Sequence, residues 1–189
     1  MSANNKTRSK EWMELEWKEI QVAKSNPASF KLLYDRYYES IFRFVYNRCD
    51  NEYTTQDICS DVFLIAMQNL RTYKFKGVPF SAWLFRIAHN ELRHFYRTSK
   101  KKRIVKIRTI NFLDIYEDED EELNYIIENR DRILHILEEL KPVEIQLIEL
   151  RFFEKRKFKE IANILELKEG TAKMKTYRTL KKIKSKLMN

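Results

Sequence analysis

Turn-forming residues are scarce in this chain, which has only two glycines and three prolines among 189 residues. That shortage argues against a turn-rich architecture and makes long helices the natural expectation. Cysteine is nearly as rare. Cys49 and Cys59 are the only two, without a neighbouring His/Cys cluster, so neither a disulfide scaffold nor a zinc site is expected and both read as small packing residues. No apolar run is long enough to cross a bilayer, and the opening stretch MSANNKTRSKEWMELEW lacks the apolar core of a signal peptide. The expectation is a soluble cytoplasmic protein with no membrane insertion. Reaction chemistry is missing as well. His89, His94 and His135 show no ligand spacing, and neither a glycine-rich phosphate loop nor a nucleophile motif is present. The expectation is therefore a non-enzyme, with no catalytic residues, no metal and no cofactor.

What the chain does have is charge. Hydrophobic residues make up 43% and charged residues 34%, and the formal net charge is +9. Such a balance favours an anionic partner, nucleic acid or an acidic membrane surface. The charge lies in blocks. RHFYRTSKKKRIVKIR, residues 93–108, contains Arg97, Lys100, Lys101, Lys102, Arg103 and Lys106 and no acid; DIYEDEDEE follows at once with Asp114 and the acidic run from Glu117 to Glu122. Blocks of like charge cannot pack against themselves, so residues 101–125 read as a linker between domains. Its acidic half either keeps the linker extended or shields basic surfaces by imitating nucleic acid.

Apolar periodicity is helical on both sides of that linker. In SFKLLYDRYYESIFRFVYNRC, Phe30, Leu33, Tyr34, Tyr37, Ile41, Phe44, Val45 and Cys49 form one stripe. A second helix is expected over 54–70, with Ile58, Val62, Ile65 and Leu70 inward. A third runs from Pro79 past Phe95 on Phe80, Trp83, Leu84, Ile87, Ala88 and Leu92, with Gly77 marking the turn before it. Further helices are expected over 123–140, 142–153, 158–165 and 170–187. No segment alternates with period two, and the fold class is all-α: two small helical domains joined by a charged linker. The boundaries are 1–26 for an N-terminal tail with a short helix, 27–100 for the first domain, 101–125 for the linker and 126–189 for the second domain.

The segment FKEIANILELKEGTAKMKTYRTLKKIKSKL has the layout of a helix-turn-helix. Ile161, Ala162 and Leu165 face inward from a short helix, Leu167 plugs the turn, and the next helix buries Ala172, Tyr177 or Thr176, Leu180, Ile183 and Leu187. Its other face carries Lys173, Lys175, Arg178, Lys181 and Lys182. In such a unit the second helix enters the major groove, where Arg and Lys donate to guanine edges or neutralise phosphates. Beyond Lys181 the lysines serve equally well as partners of the helix dipole.

These residues resemble a known family. EIANILELKEGTAKMK is similar to E-I-A-x-x-L-G-x-S-x-G-T-V-K-S-R, the signature of extracytoplasmic-function (ECF) sigma factors of bacterial RNA polymerase, through Glu160, Ile161, Ala162, Leu165, Gly170, Thr171 and Lys173. Glu166 stands where the family has a turn glycine, Lys168 replaces a serine cap and Lys175 an arginine. A residue other than glycine at a positive-φ position costs about 1 kcal/mol. TTQDICSDVFLIAMQNL resembles the family's D-A-E-D-L-V-Q-E-V-F-L helix, with Ser60 in place of glutamine; FSAWLFRIAHNELRHFYR resembles F-x-x-W-L-x-x-I-A-x-N-x-x-x-D-x-x-R, with His94 at the acidic position.

The resemblance implies a sigma region 2-like bundle and a sigma region 4-like helix-turn-helix. It implies that Asp57, Ser60, Asp61, Phe63 and Leu64 dock on the clamp helices of the largest subunit of core RNA polymerase. For single-stranded minus-ten DNA it implies Asn90 as a base-pocket residue. The loop RTYKFKG adds Tyr73, Lys74, Phe75 and Lys76, where aromatic and basic residues interleave. Arg86, Arg93 and Arg97 lie on a different face from the core residue Trp83, toward the DNA backbone. At the minus-thirty-five duplex, Thr171, Lys173, Lys175, Arg178 and Lys182 are the implied contacts. The implied partners are core polymerase, promoter DNA and an anti-sigma factor. A conventional helix-turn-helix regulator, binding duplex DNA without polymerase, is the alternative.

Overall fold

The computed structural model of the chain describes residues 10–49, 51–99, 135–136 and 139–188. The chain divides into two compact units, and the described residues of both are helical with no strand among them. The expected linker over 101–125 lies outside the described residues, as does most of the helix expected over 123–140.

In the N-terminal unit, α1 (Lys10–Ser25) buries Glu16, Ile20 and Ala23 along one face. Residues 1–26 were expected as a tail with a short helix, but α1 is 16 residues long and is part of the bundle. Glu16 is 2% exposed. Its carboxylate accepts from the Tyr37 hydroxyl and from the Phe80 backbone N–H, the latter at 3.0 Å. A buried carboxylate with two donors is a fixed anchor rather than an uncompensated charge.

A 3-10 turn, Pro27–Ser29, capped by the Asn26 side chain, leads into α2 (Phe30–Tyr46). There Phe30, Leu33, Tyr37, Ile41, Phe44 and Val45 are buried, most of the expected stripe. Arg36 forks onto Glu19 of α1 at 2.5 and 2.9 Å, with its guanidinium 5.6 Å from the Trp12 ring centre. Those hydrogen bonds outweigh partial burial and hold the Glu19 carboxyl below its ordinary value.

Asn51 caps α3 (Glu52–Asn69), accepting from the Thr54 N–H at 2.9 Å. A 3-10 turn, Leu70–Thr72, and the loop 73–79 lead to α4 (Phe80–Ser99). Gly77 has a φ of 66°, the conformation that glycine supplies without strain. Phe80, Leu84, Phe85, Ala88 and Leu92 are buried, and Phe85 meets Phe44 edge-on at 4.9 Å between ring centres. At the far end of the bundle the buried Arg48 guanidinium lies 3.6 Å from the Phe44 ring centre, while the Tyr96 hydroxyl donates to the Arg48 carbonyl. Cys49 and Cys59 are buried without a disulfide, and burial, with Cys49 nearby, pushes the Cys59 thiol up to about 12.

In the C-terminal unit, α5 (Pro142–Ile148) starts on Pro142 as expected and widens into a different geometry before its expected end. Residues Glu149–Phe153 are π-helical, and the Glu154 N–H reaches back five residues to the Glu149 carbonyl at 3.0 Å. After the turn come α6 (Phe158–Leu165) and α7 (Glu169–Met188). The core joins Ile136, Leu140, Ile148 and Ile183, with Ile145, Phe152, Leu180 and Leu187 packed at its edge. A buried ion pair, Arg156 to Glu160 at 3.3 Å, ties the connection to the first turn of α6.

Candidate nucleic-acid interface

The helix-turn-helix forms as expected, but on α6 Ile164 takes the buried place and the expected Leu165 is only half-buried. Ile161, Ala162 and Ile164 of α6 are buried, as are Ala172, Thr176, Thr179 and Ile183 of α7. Glu166 leaves α6 in the left-handed region, φ 56° and ψ 41°, and the Leu167 N–H closes the helix on the Ala162 carbonyl at 2.9 Å. The position that lacks its turn glycine is therefore one that needs positive φ. Of the two residues weighed for the inner face of α7, Thr176 is the buried one. Tyr177 is 54% exposed, with its ring 6.0 Å from that of Phe158.

Lys173, Lys175 and Arg178 are exposed on α7, and Thr171 is half-buried in its first turn. Met174 and Tyr177 stand among them as exposed apolar residues. The inward set Ala172, Thr176, Thr179 and Ile183, read at helical spacing, is the signal that turns Met174 and Tyr177 outward. Lys182 departs from this group. Its ammonium lies 3.3 Å from Glu144 of α5, partly buried, so it serves the packing of its own unit. Burial raises the Glu144 carboxyl, but the hydrogen bonds from the Lys141 backbone N–H and from Lys182 outweigh it and leave the carboxyl below its ordinary value. Lys186 likewise pairs with Glu139.

In the N-terminal unit the loop residues separate by side. Lys74, Phe75 and Lys76 are exposed, but Tyr73 is only 7% exposed. Its ring packs against Trp83 at 4.7 Å and Phe80 at 5.2 Å, and burial holds its hydroxyl well above the ordinary tyrosine value. Tyr73 is thus a floor for the loop and not a free stacking platform. Trp83, expected in the core, is half-buried in the same aromatic cluster. On α4, Asn90 is exposed while Trp83 and Arg86 are half-buried. Asn90, Arg93, His94 and Arg97 line a recess of about 230 Å³ along α4. Arg86, Asn90, Arg93 and Arg97 thus fall at helical spacing on one side of α4.

On α3, Asp57, Ser60, Asp61 and Leu64 are exposed on one face, with Leu64 47% open. Phe63 points the other way. It is 4% exposed and its ring lies 4.7 Å from Tyr34, which removes it from that exposed face and makes it a packing residue beneath. Among the described residues no group of three or more His, Cys, Asp and Glu side chains could hold a metal ion, and no helix is long and apolar enough to cross a membrane.

Residues 33–102 match the sequence profile of Sigma-70 region 2, and residues 130–183 that of Sigma-70, region 4. The chain is 28% identical over 155 residues to the ECF RNA polymerase sigma factor BldN of Streptomyces coelicolor, covering 81% of this chain and 58% of that protein. It is 29% identical over 155 residues to the RNA polymerase sigma factor SigV of Bacillus subtilis, covering 79% of this chain and 85% of that one. The chain thus spans less than two thirds of the Streptomyces relative. In fold it is similar to CnrH, solved in complex with the cytosolic domain of CnrY, at a TM-score of 0.59 and 21% identity over 88% of this chain and 93% of that one.

Proposed function

The chain belongs to the sigma-70 family, in its extracytoplasmic-function group, and on that premise we propose that it directs core RNA polymerase to specific promoters and assists their opening. The observation that carries this reading is the presence, in one chain and in family order, of both units, each with its polar surface outward. A helix-turn-helix alone serves many regulators; the α4 and loop candidates of the N-terminal unit serve single-stranded DNA.

The first domain, bounded at 27–100 from the sequence, is extended back to residue 10 to take in α1, and the second is kept at 126–189. Asp57, Ser60, Asp61 and Leu64 meet the clamp helices of the largest polymerase subunit. Lys74, Phe75, Lys76, Arg86, Asn90, Arg93 and Arg97 hold the opened minus-ten strand, with cations on phosphates and Phe75 and Asn90 toward bases. Lys173, Lys175 and Arg178 enter the major groove at the minus-thirty-five element with Thr171 beside them, and Met174 and Tyr177 give that face apolar contacts suited to thymine methyl groups. The protein works in the cytoplasm, the polymerase performs the chemistry, and an anti-sigma protein is the expected regulatory partner.

Run-off transcription with purified core polymerase on fragmented genomic DNA tests this. New, discrete start sites that depend on the protein are the expected result. Tight duplex binding by the free protein, with no association with core and no redirected initiation, would instead mark a conventional regulator. The double variant Lys175→Ala plus Arg178→Ala is expected to lose minus-thirty-five-dependent transcription while still binding core.

A further inference from the structure

The loop 73–79 is gripped at both ends by a single helix that lies outside the family-matched region, and the grip is polar. At its start, Lys24 Nζ of α1 donates to the Tyr73 carbonyl oxygen at 2.7 Å, across 49 residues of sequence. At its end, the first N–H of α4, on Phe80, donates to the buried carboxylate of Glu16 at 3.0 Å. Between them Trp17 of α1 backs the loop from beneath, its ring 6.0 Å from Tyr73 and 5.9 Å from the exposed Phe75. The Lys24 ammonium lies 5.0 Å from the Trp17 ring centre, so the same cation holds the loop backbone and its aromatic support.

We infer that α1 is a positioning element for the strand-binding loop, with Lys24, Trp17 and Glu16 as positioning residues that set where Lys74, Phe75 and Lys76 stand. The inference rests on the reading of that loop as a minus-ten contact. A loop that must receive an unstacked base loses orientation when its backbone is free to shift, and small misplacements of positioned groups carry large penalties. Neither Lys24 nor Trp17 has to touch DNA. Their effect is felt through the Tyr73 carbonyl and the underside of Phe75. None of the three belongs to the polymerase-docking face of α3.

Lys24→Met tests this with least disturbance, since it keeps the aliphatic stem over Trp17 and removes only the donor. The experiment uses the full chain assembled with core polymerase and measures open-complex formation on duplex promoter, core affinity, melting temperature and the rate ratio between the preferred minus-ten sequence and single-base variants. Lys24→Met is expected to slow opening about tenfold, the factor that loss of one charge-assisted hydrogen bond carries, and to flatten the minus-ten base preference. Core affinity should hold, and Lys24→Arg should restore both properties. Opening and base preference unchanged in Lys24→Met would overturn the inference, as would a parallel fall in opening, core affinity and melting temperature. Lys74→Ala plus Lys76→Ala, assayed alongside, keeps the two readings apart. If that variant leaves opening untouched, the loop is no minus-ten contact and the underlying reading fails; if it impairs opening while Lys24→Met does not, only the role of α1 fails.

Discussion

At Glu166 a side chain occupies backbone space that glycine fills without strain, with φ at 56°. Glu166→Gly is therefore expected to stabilise the C-terminal unit by about 1 kcal/mol, read as a higher urea midpoint at unchanged slope. The neighbours Phe63 and Leu64 make a sharper pair. Phe63 is packed beneath the α3 surface against Tyr34 and Tyr38, while Leu64 stands out from it. Phe63→Ala should cost roughly 3–5 kcal/mol of stability, seen in denaturant unfolding. Leu64→Ala should shift stability by less than about 0.5 kcal/mol yet weaken association with core polymerase in a direct binding assay. Equal effects of the two substitutions on binding and on stability would remove Leu64 from the interface.

Among the elements, those with a continuous apolar stripe were legible in the sequence: α2, α3, α4 and α6 lie close to where periodicity placed them. The length and docking of α1 were not, because two of its three buried residues are Glu16 and Ala23, a carboxylate and a small side chain that add little to a hydrophobic pattern. The loop candidates were half legible. Alternation of aromatic and basic residues identifies RTYKFKG as a candidate surface, but in irregular backbone it does not say that Tyr73 turns in and Phe75 out. Beyond residue 148 the π-helical turn was invisible, since it changes hydrogen-bond register without changing apolar content. The seating of α1 also sets a pH dependence. Glu19 titrates below its ordinary value of 4.5 because Arg36 hydrogen-bonds to its carboxylate. The stabilisation is thus complete above the ordinary glutamate range and is lost as pH falls through the lowered folded value. Arg36→Met should be less stable than the parent at pH 7, and the gap between their unfolding midpoints should shrink as the medium is taken below pH ~4. Both partners are partly open to solvent, which keeps the gap small.

At the scale of the whole molecule, 37 basic against 28 acidic side chains give the net charge of +9 and make salt the governing variable for duplex binding. The affinity of the polymerase-bound protein for minus-thirty-five duplex should fall steeply between about 50 and 200 mM salt, since each phosphate contact releases a counterion. Removing Lys173, Lys175 or Arg178 singly should each lessen the slope of log affinity against log salt by about one if that cation sits on a phosphate. Lys182→Ala should leave the slope unchanged, because its ammonium already has Glu144 for a partner. The hydrogen bond between Glu16 and Phe80 has a further consequence in time. Its two residues are 64 positions apart. At translation rates of roughly 5–20 residues per second, the Phe80 N–H is made about 3–13 s after the carboxylate that will accept it. During that interval the nascent chain has a charged residue in the stripe destined for the interior and no donor from α4 to quench it. Until then α2 alone can partner that carboxylate, through the Tyr37 hydroxyl, so the seating of α1 gains its second donor only once the start of α4 has been made.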